Sequence, residues 1–164
     1  MNRKLLGFLV AGALATASLA GAPAYAAPGS AHEHGHADAA QMLKLNNGQK
    51  WASDEPLRDS MAKIRNAVDA QLATHDSKQS AQYEALGREI DAQLANIVQN
   101  CKLEPAADEV LHAILAEMMH GNDVLKGKNP QVARTEGMKR VVHSLELYAE
   151  YFQHPGFEAP RAAH

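Results

Sequence analysis

The chain has 164 residues, with 16 Lys and Arg against 19 Asp and Glu, a net charge of −3 with histidine neutral, and 46% hydrophobic residues. This mild acidity excludes a broad basic surface for nucleic acid. Cys101 is the one cysteine, which excludes an internal disulfide and any Cys-x-x-Cys-His haem attachment.

The N-terminus reads Asn2-Arg3-Lys4, an apolar run from Leu5 to Ala20, then Ala24-Tyr25-Ala26. A short positive region, an apolar core and a small-x-small site are what a signal peptidase substrate needs, so residues 1–26 are predicted to be a cleavable signal peptide. Arg3 is followed by Lys rather than a second Arg, and no cysteine stands at the cleavage point to take a lipid. General secretion to the periplasm is the expected route. The apolar run is short and diluted with Gly and Ser, so no membrane anchor is expected after cleavage. Cleavage leaves 138 residues with 14 basic and 19 acidic side chains, a balance of −5. That length supports one domain with a hydrophobic core.

Residues 27–41 are rich in Ala, Pro, Gly and Ser and nearly lack large apolar side chains. Such a segment buries too little surface to offset its ordering entropy, and a disordered tail is predicted. It contains His32-Glu33-His34-Gly35-His36, three imidazoles and a carboxylate that can wrap copper, nickel or zinc once the imidazoles are neutral. The plain alternative is a polar, solubilising segment.

A bundle domain is expected over 42–158, followed by a flexible C-terminus over 159–164. Asn46-Asn47-Gly48 signals a turn. The first helix opens at Ser53-Asp54-Glu55-Pro56, with Ser53 as its expected N-cap, and carries Leu57, Met61, Ile64, Val68 and Leu72 on one stripe until His75-Asp76-Ser77. A second runs from about Lys78 to Lys102 with Tyr83, Leu86, Ile90, Leu94, Ile97 and Cys101. The third starts at Pro105, carries Leu111, Ile114, Leu115, Met118 and Leu125, contains Gly121 as a weak or bent point, and ends at Gly127. The fourth follows Asn129-Pro130, uses Met138, Val141, Val142, Leu145, Tyr148, Ala149 and Phe152, and stops at His154-Pro155-Gly156. Four amphipathic helices joined by short turns predict an all-α, up-down-up-down antiparallel four-helix bundle. Leu147 and Tyr151 fall off the fourth stripe and are candidates for a dimer contact; a monomer or weak homodimer is expected.

Leu45 to Trp51, Asp54 to Arg58, Asn100 to Pro105 with Leu111-His112, and Tyr151 to Phe157 together resemble a family of small exported proteins of Gram-negative bacteria. The resemblance covers most of the predicted mature chain and implies export without implying an activity. The overall plan is also similar to the periplasmic bundle cytochromes, although only a non-covalent haem is compatible with one cysteine. Met61 and His154 are the candidate axial ligands for such a b-type site.

Two Glu-x-x-His spacings, Glu109 to His112 and Glu117 to His120, fall on one helix. A di-iron centre needs such pairs on different helices, so a solvated face accounts for them. No phosphate-binding Gly loop or Gly-x-Ser-x-Gly elbow is present, and no enzyme is predicted. The bundle order brings Trp51, Met61, Cys101, Asp108, His112, Phe152, His154 and Phe157 to one pole. There Cys101 and His112, with Met61, are candidate ligands for copper(I) or zinc, and Asp108 would orient the His112 ring. The alternative is a buried thiol, a hydrogen-bonded histidine and an aromatic plug. The expectation is thus a periplasmic protein binding copper or zinc through its His-rich tail, its Cys/His pole, or both. A ligand-free structural or protein-interaction module of the cell envelope is the alternative, with a b-type electron carrier behind it.

Overall fold

The computed structural model of the chain describes residues 41–74 and 80–161. The predicted signal peptide, His32, His34 and His36, the predicted end of the first helix at 75–77 and the last three residues lie outside them. The described residues form four helices, α1 (Glu55–Ala73), α2 (Ser80–Asn100), α3 (Pro105–Leu125) and α4 (Arg134–Tyr151). None is long and apolar enough to cross a membrane.

The stripes predicted from spacing become the core. Leu57, Met61, Ile64 and Val68 of α1 are fully enclosed, as are Ile90, Ile114, Met118, Leu125, Val141, Leu145 and Tyr148 of the other helices. Each large apolar side chain so enclosed stabilises the fold by about 1.5–3 kcal/mol relative to exposure. Ala107 and Val110, outside the predicted α3 stripe, are also buried. Leu147 and Tyr151, off the predicted stripe of the last helix, are partly buried against this core.

The helix ends differ in chemistry. Asp54, not Ser53, caps α1: its Oδ1 accepts from the Leu57 amide at 3.0 Å. Ser53 instead donates its hydroxyl to the Gln153 carbonyl. Proline stands in the first turn of α1 (Pro56) and of α3 (Pro105) and loses nothing there, because those amides have no intrahelical partner. Past the end of α3, Gly127 takes φ +77°, and the Arg134 guanidinium occupies the space a side chain would need. Arg134 donates to the Leu125 carbonyl and pairs with Glu84 of α2 at 2.9 Å, fastening the α3–α4 turn to α2.

Gly121 does not break α3, which is continuous through Leu125. It faces Gly137 of α4 instead: a Cβ on Gly137 would lie 2.6 Å from the Gly121 carbonyl oxygen. Two glycines let the α3 and α4 backbones touch. Farther along the same contact, Arg140 pairs with Glu117 at 2.9 Å. Between α2 and α3, buried Asn122 donates to the Gly87 carbonyl at 3.0 Å and to Asp91 at 2.7 Å. Lys126 closes over it to reach Asp91 at 2.7 Å and Asp123 at 3.4 Å.

Before α1, Asn47 and Gly48 turn the chain with φ +50° and +83°, closed by mutual hydrogen bonds between Asn46 and Gln49. The segment then pairs with the end of α4 in an isolated parallel bridge between Trp51 and Phe152. The Trp51 amide donates to the Tyr151 carbonyl and the Gln153 amide to the Trp51 carbonyl, both at 2.8 Å.

Candidate functional site

The Trp51–Phe152 bridge brings the unusual side chains of the chain to one end of the helices. Trp51 is buried there at 5% exposure, with its indole N–H donated to the Lys44 carbonyl at 2.7 Å. Phe152 and Tyr148 stack with ring centres 5.6 Å apart, and Phe157 meets Tyr148 edge-on at 5.0 Å. These rings close the core.

Asp54 sits beside this plug and serves two helices. While its Oδ1 caps α1, its Oδ2 accepts from the Lys102 amide at 2.6 Å, just past the end of α2. The Cys101 thiol is the third donor, 3.5 Å from Oδ1. Burial, then the Asp54 charge and the hydrogen bond to it, push the thiol up to about 12 from 9.0. Cys101 is therefore a protonated thiol at neutral pH, whereas a metal ligand or nucleophile is a thiolate.

Tyr148, buried within α4, is hydrogen-bonded through its hydroxyl to His154 Nδ1 at 2.9 Å. Burial raises the Tyr148 phenol above its usual range, with Ser53 and the Arg58 guanidinium working against that rise. His154 is half-buried and stacked on Phe157 at 4.8 Å. Its pKa is lowered, first by burial and then by Arg58, with Asp59 opposing. Arg58 donates to the Ser53 carbonyl and lies 3.4 Å from the Ser53 hydroxyl. A shallow cavity of about 280 Å³ opens beside this cluster, lined by Trp51, Asp54, Lys102 and Glu104 among others.

The predicted ligands distribute as follows. Cys101 is held by Asp54. The His112 side chain is 72% exposed, with Nδ1 2.8 Å from the Asp108 carbonyl oxygen and 3.4 Å from its carboxylate. Asp108 thus does orient the ring, more closely through its backbone than through its side chain. Met61 is sealed in the core, and His154 is engaged by Tyr148 and Phe157. His32, His34 and His36 lie outside the described residues. Among the described residues, no three of His, Cys, Asp and Glu gather closely enough to hold a metal ion. Glu109, His112 and His120 are exposed on α3.

Sequence reasoning missed Asp54, Arg58 and Tyr148. The signal for Asp54 was its place beside Pro56 at a helix start, where two neighbouring residues could each cap. A second feature was also missed, a groove of about 540 Å³ between α2 and α3, lined by Leu94, Val98, Met119, Asp91, Asp123 and Lys126 among others. Val98 and Met119 are exposed there at 76% and 55%. No protein-family model matches the chain, and comparisons with curated proteins and with solved structures gave no match.

Proposed function

We propose that this is a non-enzymatic periplasmic protein that binds copper or zinc through His32, His34 and His36, with the helical domain as the carrier of that tail. On this reading residues 1–26 are the secretion signal, and the domain is an antiparallel up-down-up-down bundle. The order is supported by pairings whose numbers run in opposite directions: Gly87 against Lys126 and Asp91 with Asn122 between α2 and α3, and Glu117 with Arg140 and Gly121 with Gly137 between α3 and α4.

The observation that carries the proposal is the Asp54–Cys101 contact. It engages the thiol with a carboxylate that already caps α1, and among the described residues no three of His, Cys, Asp and Glu gather there to hold a metal ion, which favours the tail over the pole. Three imidazoles within five residues supply borderline nitrogen donors without any need for a preformed cage.

Calorimetric titration of the chain from Ala27, with copper(II) and zinc in separate runs, tests this. Binding is expected to vanish on deletion of 27–41 and to persist in Cys101→Ala and His112→Ala. The deletion should leave the helical circular dichroism and the melting temperature unchanged. Loss of binding in Cys101→Ala would return the metal to the pole. Absence of binding in the intact chain would leave the second reading, a protein-interaction module. That reading is favoured by Val98 and Met119, two large apolar side chains exposed in one groove.

A further inference from the structure

The segment from Phe152 to Pro160 leaves α4 and folds back against α1. Phe152 and Pro160 are buried, Phe157 and Ala159 pack on the core, and the Glu158 carbonyl accepts from Arg65 of α1 at 3.1 Å. This returning segment is what the chain before α1 holds on to. Besides the two backbone bonds at Trp51, Lys50 reaches the Ala149 carbonyl at 2.6 Å, Gln153 reaches the Lys50 carbonyl at 3.0 Å, and Ser53 donates to the Gln153 carbonyl. In the middle of the returning segment stands its one imidazole, His154.

We propose that His154 is the latch of an acid-opened clasp: protonating its imidazole loosens the 152–160 segment and, through the bridge at Phe152, the 43–53 segment paired with it. On this proposal the neutral ring carries its proton on Nε2, and Nδ1, 2.9 Å from the Tyr148 hydroxyl, accepts from it. In the imidazolium both nitrogens are donors, so the Tyr148 hydroxyl must turn its own proton elsewhere. Ser53, the hydroxyl beside it, gives its own proton to Gln153 and faces the Arg58 guanidinium, so its oxygen could take the Tyr148 proton only through the lone pair left between those two contacts.

The surrounding charges decide which form is favoured. From α1, the Arg58 cation opposes a second positive charge, and exposed Asp59 favours it. From α4, Tyr148 is a neutral phenol; behind it lie Asp54, whose carboxylate is committed to three donors, and the protonated Cys101. Phe157 covers one face of the ring and removes water from it. Partial burial and Arg58 outweigh Asp59, in keeping with the lowered pKa of the ring. A histidine pKa depressed by folding gives stability that is complete above the ordinary value of 6.5 and is lost as pH falls below it towards the folded value. Opening would expose the side chains of Trp51 and Phe152, the two residues whose backbones bridge the segments.

Amide hydrogen exchange at Trp51 and Gln153 in the chain from Ala27, corrected for intrinsic rates over roughly pH 5 to 8, reads the clasp directly. Following the His154 ring by NMR in the same samples shows when the latch titrates. Protection of both amides should fall about tenfold for each unit by which the ring pKa is depressed, in step with the ring titration, while amides of α3 hold. His154→Gln should flatten the profile. Tyr148→Phe should bring protection at neutral pH down to the value that the unaltered chain shows in acid. An unchanged profile in His154→Gln, or loss of protection while the ring is still neutral, would overturn the proposal. Should either variant fail to fold, the paired ring and amide titrations of the unaltered chain decide the matter alone.

Discussion

Gly121 and Gly137 meet backbone to backbone where α3 crosses α4, each standing where a side chain of the other would need to be. A Cβ on Gly137 would lie 2.6 Å from the Gly121 carbonyl oxygen and 2.7 Å from the Leu125 nitrogen. Gly137→Ala gains about 1 kcal/mol in helix propensity, yet overpacking against backbone, where no flexible side chain can move aside, costs about 2–3 kcal/mol, the upper part of the usual range. A net loss of about 1–2 kcal/mol is expected, read as a lower denaturant midpoint. Gly87→Ala should cost less, since the atom its Cβ would strike belongs to the flexible Lys126 stem. A neutral or stabilising Gly137→Ala would remove the packing argument for this pair.

The Asp54–Cys101 contact predicts a slow thiol. With its pKa at about 12, only ~1 molecule in 10⁴ carries the reactive thiolate at pH 8. Aromatic-disulfide labelling of the native protein should be far slower than of the unfolded chain, and non-reducing gels should show little linked dimer. Asp54→Asn removes the neighbouring negative charge and should speed labelling without unfolding α1, since Asn also caps helices. Labelling of the unaltered native chain at the unfolded rate would contradict the assignment.

Alkali should weaken the fold. The folded-state pKa of Cys101 is raised above its unfolded value of 9.0, and that of Tyr148 above 10.0. A raised folded pKa gives stability that is complete below the unfolded value and is lost as pH rises through the folded one. Denaturant midpoints should therefore decline from about pH 9 upwards, and less steeply in Cys101→Ala. An identical slope in that variant would assign the whole effect to other groups.

Asn122 offers a test of a buried polar group. Its Nδ2 serves both the Gly87 carbonyl and Asp91, while its Oδ1 is enclosed without a protein partner among the described residues. Asn122→Ala strips the Gly87 carbonyl of its side-chain donor, leaving it the intrahelical bond alone, and takes one donor from Asp91; it should cost about 1–3 kcal/mol, measured by chemical denaturation. A smaller cost would mean that water reaches that carbonyl.

The helices were legible because apolar spacing is local: the stripes of α1, α2 and α4 match the buried residues closely. The α3 stripe was too narrow because that helix is buried on more than one side, and periodicity understates such a helix. Gly121 read as a weak or bent point because nothing within α3 says that Gly137 will face it. At the pole, Trp51, Cys101 and Phe152 stood out by residue type. The Asp54–Cys101 pair did not, since it joins residues 47 positions apart through a carboxylate that also has a local task. Tyr148 and His154 are six residues apart, a spacing that would not meet on a continuous helix. They meet because α4 stops at Tyr151 and the chain turns back.

Trp51 is the sole tryptophan, and its backbone partners lie about a hundred residues away along the chain, past the last helix. Closing a loop of that length is entropically unfavourable until the intervening helices have shortened it. The bridge therefore belongs to the end of folding rather than its nucleus. Time-resolved tryptophan emission should trail far-ultraviolet dichroism during refolding, so that one native side chain times the final step.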